Sequence, residues 1–206
     1  MNRFTITEGR EVSVDDIREA IIIDKIVYSD EYIVTLDLCL EWGKRNPQIY
    51  TMIRDNNTGK IVAYVNLSPV TDECYKKIKS GEFLDIYLPG EAIVPYDKPG
   101  LYNLYFSSIV ILPEYQTTNM FFMLFNAVIN KFIALADNGF YFKHIIADAV
   151  TGKGQKICKV FGMERIKNSK HKSDIFEVIM LPPKFKCPTK TTKTLFNIYS
   201  NYNSSH

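Results

Sequence analysis

The feature that most constrains how this sequence can fold lies near its centre. Residues 104–112 form an unbroken β-prone run, residues 113–116 a turn, and residues 118–137 an apolar helix closed by Asn138 and Gly139. Residues 143–150 return as a second run rich in Ile, Ala and Val. Two strands joined through such a helix cannot be hairpin neighbours, so the pattern predicts a parallel pair with a right-handed crossover. Along the helix Phe121, Phe125, Val128, Phe132 and Leu135 make one stripe, widened by Phe122, Ile129, Ile133 and Ala136. A stripe that broad has to be largely buried.

The remaining segments read as additions around this unit. Residues 3–7 predict a short edge strand, and Ser13 caps an amphipathic helix with Ile17, Ala20, Ile21 and Asp24 at helical spacing. A helix over 35–44 ends at Asn46-Pro47 and places Trp42 on a short helical lid. Runs at 49–54 and 61–67 flank six residues that tolerate positive φ, which predicts an antiparallel hairpin. Residues 71–80 predict an exposed helix. Residues 81–103, punctuated by Pro89-Gly90, Pro95 and Pro99-Gly100, predict a long loop with at most a short strand. Ordering such a loop costs entropy that packing rarely offsets, which makes it a candidate substrate lid. Thr151 caps a short helix reaching Phe161, Gly162 breaks it, and final strands run at 163–166 and 175–180. No acidic residue follows Glu177, and residues 184–206, with Lys184, Lys186, Lys190 and Lys193, predict a loosely packed basic and polar tail.

Composition enters as a set of limits. A chain of 206 residues, 46% of them hydrophobic, buries roughly 70% of its unfolded surface and needs no disulfide or metal staple. The expectation is one domain over 1–183 followed by the tail. Cys39, Cys74, Cys158 and Cys187 are scattered, and His144, His171 and His206 form no ligand-like cluster with them, so no metal site is expected. The first nine residues hold no apolar run, and the run at 120–125 is far short of the ~20 residues a membrane span requires. The reading is a cytoplasmic chain with reduced thiols and no membrane partner. With 25 Lys+Arg against 23 Asp+Glu the net charge is +2, too balanced for a nucleic-acid binder. The lysines at 76–79 and 184–193 read as solvated faces.

A helix that begins directly after a strand aims its unbonded amides, and the positive end of its dipole, beyond the strand's end. Here the donors are Gln116, Thr117, Thr118, Asn119, Met120 and Phe121, and the polar side chains among them add hydrogen bonds suited to a diphosphate. The same spacing also fits an ordinary Thr-capped helix that binds no anion.

The order of elements and two motifs resemble a GNAT-family (Gcn5-related) N-acetyltransferase from Arg3 to about Leu181. Residues 108–121 are similar to the family's V-x-P-x-x-[QR]-x-x-G-x-[GA] signature, with Ile111, Pro113 and Gln116 at matching positions. Residues 151–163 are similar to its N-x-x-A-x-x-L-Y-x-x-x-G-F helix. The two signature glycines are replaced by Asn119 and Phe121, yet main-chain donors survive any non-proline substitution, and Phe121 is expected to turn towards the core.

The resemblance implies an α/β (α+β), GNAT-like fold: a central mixed, mostly antiparallel twisted sheet with one parallel strand pair and flanking helices. It implies acetyl-CoA as co-substrate, no metal, and direct attack on the thioester by a small-molecule or peptide amine, with a homodimer left open. Ile109, Val110 and Ile111 would line the pantetheine slot, with a backbone N–H near Ile111 polarising the thioester carbonyl. Residues 116–121 would hold the diphosphate, and Thr151, opening the second motif, joins the cofactor set. Cys158 occupies the position of the family's tyrosine, where a general acid would protonate the leaving thiolate; a buried thiol used for packing fits equally. For a general base the sequence offers Glu41, Glu82, Asp85, Glu91, Tyr105 and Ser107 without ranking them. His144 reads as a structural histidine and His171 as a solvated turn residue. The alternative to a transferase is a catalytically silent GNAT-like domain that binds CoA or a protein partner.

Overall fold

The computed structural model describes residues 2–181 and 190–205. In chain order the elements are β1 (Phe4–Glu8), α1 (Val14–Val27), α2 (Leu36–Arg45), β2 (Tyr50–Asp55), β3 (Lys60–Val70), α3 (Asp72–Ser80) and β4 (Gly100–Ile111). They continue with α4 (Thr118–Asp137), β5 (Phe140–Ala149), α5 (Gly152–Val160), β6 (Glu164–Asn168), β7 (Asp174–Ile179) and α6 (Lys190–Ser205). Among the described residues the seven strands form one mixed sheet in the order β1-β2-β3-β4-β5-β7-β6, with β4 and β5 its parallel pair. This is the architecture expected from the central crossover. The chain divides into two compact units: Met1–Ser68 with Leu84–Pro95 and Ser107–Val128, and Pro69–Phe83 with Tyr96–Phe106 and Ile129–His206.

In the first unit, a reciprocal cap starts α1. Ser13 Oγ accepts from the Asp16 amide at 3.1 Å, and Asp16 Oδ2 accepts from the Ser13 amide at 2.7 Å. Asp16 also ion-pairs with Arg54 on β2, and Glu19 Oε2 accepts from the Ile61 amide at 2.7 Å, so α1 is tied to the β2–β3 hairpin by both its first turns. Its buried face is Ile17, Ala20 and Ile23; Ile21 and Asp24 are half-buried.

Two expectations about this unit are corrected. Trp42 is not on a lid. It is buried, and its Nε1 donates to the Leu88 carbonyl at 2.8 Å. The segment predicted as a substrate lid is likewise fixed over 84–95: Arg45 Nε donates to the Ile93 carbonyl at 3.2 Å, Asn46 Nδ2 to the Val94 carbonyl at 2.9 Å, and Leu88 and Ile93 are fully buried. Two apolar anchors and three side-chain donors to its carbonyls offset the ordering entropy that the loop's length suggested would dominate.

In the second unit, the parallel ladder runs from Gly100↔Phe140 to Tyr105↔Ile146. Gly139, at φ 84, turns the chain from α4 into β5, and its carbonyl accepts from the Gly100 amide at 2.8 Å. Strand β7 lies antiparallel between β5 and β6. Helix α3, expected to be exposed, buries Cys74, Tyr75 and Ile78, and its Tyr75 and Lys79 both reach the buried Glu177 carboxylate on β7. His144 on β5 joins this group, its ring 5.0 Å from that of Tyr75 and Nδ1 3.3 Å from Glu177, while burial holds its pKa below the usual imidazole value.

The expected loosely packed tail is also corrected. Residues 182–189 lie outside the described residues, but α6 beyond them is docked: Thr192, Leu195 and Tyr199 are buried, and Tyr199 Oη accepts from the Phe142 amide at 2.9 Å. The spacing of Thr192, Leu195 and Tyr199 supplies one helical face, which the lysine content of the segment masked.

Helix α4 is long and apolar enough over Asn119–Asp137 to cross a membrane by composition alone, yet Met120, Leu124, Phe125, Val128, Ile129 and Phe132 are buried within the protein. The inward face is shifted from the predicted stripe: Phe121 and Leu135 are half-buried, Phe122 is exposed, and Met120 and Leu124 take their places.

Replacing Tyr199 with Phe leaves the Phe142 amide without its acceptor in a buried position. The expected loss is about 1–3 kcal/mol of unfolding free energy, read from urea denaturation with an unchanged m-value.

Candidate functional site

Strand β4 ends at Ile111, and the chain enters α4 through the turn Pro113–Tyr115. The turn is anchored from both sides. The Leu112 amide donates to the Val62 carbonyl at 2.9 Å, and Tyr115 Oη donates to Asp55 Oδ2 at 3.0 Å. Asp55 also accepts from Arg3, whose guanidinium holds that carboxyl below the usual carboxylate range. The exit from β4 is therefore set by the main chain of β3 and by Asp55 of β2, itself held by Arg3 just before β1.

Within the predicted phosphate-binding stretch, the residues take different roles. Gln116 Nε2 donates to the Ile111 carbonyl at 2.9 Å, capping the strand. Thr117 is the N-cap of α4: its Oγ1 accepts from the Met120 amide at 3.2 Å, and its carbonyl accepts from the Phe121 amide at 3.1 Å. The amides of Gln116 and Thr117 bond to the Pro113 and Tyr115 carbonyls. The main-chain donors with no reachable intrahelical carbonyl thus contract from six residues to the two that open the helix, Thr118 and Asn119. Asn119 is exposed, while the Met120 side chain is buried. Phe121 does not turn fully inward. It is half-buried and stacks on Phe125 of its own helix, ring centroids 6.0 Å apart.

On β4, strand alternation separates the three predicted lining residues. Ile109 and Ile111 are half-buried, but Val110 points into the core and has only its main chain to offer a ligand. In the second unit Thr151 Oγ1 is committed to capping α5, accepting from the Gly154 amide at 3.0 Å. Cys158 is buried on α5, and burial pushes its thiol up to about 12. A thiol held that far above the ordinary value of about 8.5 is a poor proton donor to a thiolate of ordinary basicity, so the environment opposes the general-acid role.

The base candidates also sort themselves. Glu82 pairs with Lys170, which holds its carboxyl low, and its main-chain carbonyl lies 3.3 Å from Nε2 of His171, the histidine expected to be solvated. Tyr105 is buried, Ser107 is half-buried, and Glu41 packs against the backbone of Gly90.

A carboxyl outside those candidates is also displaced from its ordinary value. Asp24, on the third turn of α1, accepts from Tyr64 Oη of β3 at 2.5 Å, and the same hydroxyl is 3.0 Å from Ser108 Oγ of β4. Four residues on, at the C-cap of α1, Tyr28 Oη donates to the Ile109 carbonyl at 3.5 Å. Burial pushes the Asp24 carboxyl up to about 7; the Tyr64 hydroxyl opposes the shift and the Asp85 charge adds to it. The available signal was Asp24 itself, an acidic residue at an apolar position of the predicted helical stripe. Its partners Tyr64 and Ser108 carry no sequence signal, because their meeting requires β3, β4 and α1 to be assembled.

By sequence, no family profile and no curated protein matches the chain. Solved structures do match in shape. Ard1 from Thermoplasma volcanium is similar over 85% of this chain and 95% of its own, at 12% identity and a TM-score of 0.55. The NatC complex bound to Gag peptide and CoA contains a chain similar over 85% and 96%, at 9% identity and a TM-score of 0.56. The GphF GNAT-like decarboxylase in complex with isobutyryl-CoA is similar over 85% and 99%, at 8% identity and a TM-score of 0.59. The chain has the GNAT fold.

The Asp24 carboxyl gives a checkable linkage. The folded state holds this proton more tightly than the unfolded chain, so the stabilisation is complete below the ordinary carboxyl value of 3.8 and is lost as pH rises to about 7. Asp24→Asn removes the ionisation. Between about pH 4 and about pH 8 the melting temperature of the wild type is expected to fall relative to that of the variant, by thermal melts in matched buffers.

Proposed function

We propose that the protein is an acetyl-CoA-dependent N-acyltransferase, passing an acetyl group to an amine by direct attack on the thioester. The observation that carries this reading is the exit of β4 into the Thr117-capped start of α4 in a chain of GNAT fold. Support for the co-substrate comes from similar solved structures that hold CoA or isobutyryl-CoA, and for a peptide acceptor from the one bound to Gag peptide.

In this reading the amides of Thr118 and Asn119 receive the diphosphate, and the helix dipole adds favourable charge without a lysine or a metal. Ile109 and Ile111 flank the pantetheine arm. The amine attacks the carbonyl carbon, the C–N bond forms, the C–S bond breaks and CoA leaves as thiolate. Without an acidic Cys158, the thiolate takes its proton from the attacking nitrogen or from water. One observation favours a second reading, a CoA-binding domain without turnover: at the position of the family's tyrosine stands a buried, weakly acidic thiol.

Two measurements separate the readings. Acetyl-CoA is expected to raise the melting temperature, and free thiol is expected to appear when amines are added; stabilisation without thiol release selects the silent domain. Thr118→Pro tests the anion site directly. Proline is well tolerated at the first helical position and removes one N–H, so the helix is expected to persist while CoA affinity falls about tenfold in a thermal-shift titration. An unchanged affinity rejects the placement.

A further inference from the structure

Asp24, Tyr64 and Ser108 make a continuous chain of oxygens from α1 through β3 to β4. Tyr64 is 4% exposed, whereas Asp24 and Ser108 at the two ends are half-buried. A carboxyl taken out of water is costly unless it is hydrogen-bonded, and the structure spends a tyrosine on this one while linking the same hydroxyl onward to β4. The groups coupled to it electrostatically come from several elements: Tyr64 from β3 and Asp85 from the 84–95 segment act on it, and its charge acts in turn on Cys39 of α2 and Tyr50 of β2; Tyr28, at the C-cap of α1, acts on Tyr64. The carboxyl is therefore neither buried inertly in an apolar core nor neutralised by one of these neighbours. Ser108 adjoins Ile109, whose carbonyl is tied by Tyr28 to the same helix. The last turns of α1 are thus seated on the stretch of β4 where the transferase reading places the thioester.

We propose that Ser108, Tyr64 and Asp24 form a proton relay that deprotonates a primary ammonium acceptor, with Ser108 at the substrate end and Asp24 as the terminal proton acceptor. The step balances without a further reactant. An ammonium proton passes to Ser108 Oγ as the serine proton passes to Tyr64 Oη and the tyrosine proton to Asp24, leaving a neutral amine and a neutral carboxylic acid. The amine then attacks the thioester, and Asp24 returns its proton to solvent after CoA departs. Ser108 is the catalytic residue of the three; Tyr64 and Asp24 act through it. A carboxyl that changes charge at about 7 suits a proton acceptor at neutral pH. The assignment also commits to an acceptor that is protonated at neutral pH, a primary alkylamine or a peptide N-terminus rather than an aromatic amine.

This inference rests on the transferase reading, and the experiment separates their failures. Thiol release from acetyl-CoA is followed with a panel of primary alkylamines and short peptides for the wild type, Asp24→Asn, Tyr64→Phe and Ser108→Ala, alongside thermal melts and CoA-induced stabilisation. The wild-type rate is expected to rise through about pH 7, and Asp24→Asn to lose about a hundredfold in kcat and the rising limb, with CoA stabilisation unchanged. Ser108→Ala, the mildest change, is expected to lose about tenfold or more in kcat with the wild-type melt, which keeps the test decisive if Asp24→Asn does not fold. A wild-type rate independent of pH between about 6 and about 8, or variants within threefold of the wild type, overturns the relay while leaving the transferase in place. Absence of thiol release with every amine overturns the transferase and the relay together.

Discussion

The parallel pairing of β4 with β5 is the constraint on which the rest depends. Parallel neighbours cannot be joined by a tight turn, so the chain must travel back along the sheet, and here it does so as the helix Thr118–Asp137. That helix is apolar because it crosses between buried strands, and its buried residues account for most of its hydrophobicity. Its start is then obliged to lie just beyond the end of β4, where its first amides have no carbonyl partners within the helix. The candidate cofactor site follows from connectivity rather than from any one side chain, which is why replacement of both signature glycines leaves the arrangement standing.

A second theme is how polar groups are used inside the protein. The carboxylate of Glu177 is shared by Tyr75, Lys79 and His144, a group in which a lysine compensates the buried charge. Asp55 is compensated by Arg3, and Asp16 by Arg54. Asp24 differs: burial raises it, the Asp85 charge adds to the shift, and the Tyr64 hydroxyl that opposes it carries no positive charge, so its proton is held to near neutrality where the others are driven low. A carboxyl displaced towards neutrality in this way is a candidate for handling protons.

Much of the fold was legible because it rests on local rules. Ser13, Thr35, Thr71 and Thr151 all cap the helices that follow them, and the hairpin turn before Lys60 sits where residues tolerant of positive φ cluster. What the pattern misread were segments whose character depends on distant partners. Residues 84–95 look like a free loop until Trp42, Arg45 and Asn46 are seen to bond to their carbonyls, and the lysine-rich C-terminal stretch looks like a tail until Leu195 and Tyr199 are found in the core.

The candidate site divides in the same way. The sequence by itself determined the strand–turn–helix unit at 104–137 and the crossover, because periodicity and chain connectivity act over a few neighbouring residues. Only the tertiary structure decided that the Cys158 thiol is buried and raised above its ordinary value, and that Asp24, Tyr64 and Ser108 form one chain of hydroxyl and carboxyl groups. Those outcomes are set by burial and by bonds spanning 40 residues or more from Asp24 to Tyr64 and from Tyr64 to Ser108, and desolvation has no local signature in a sequence.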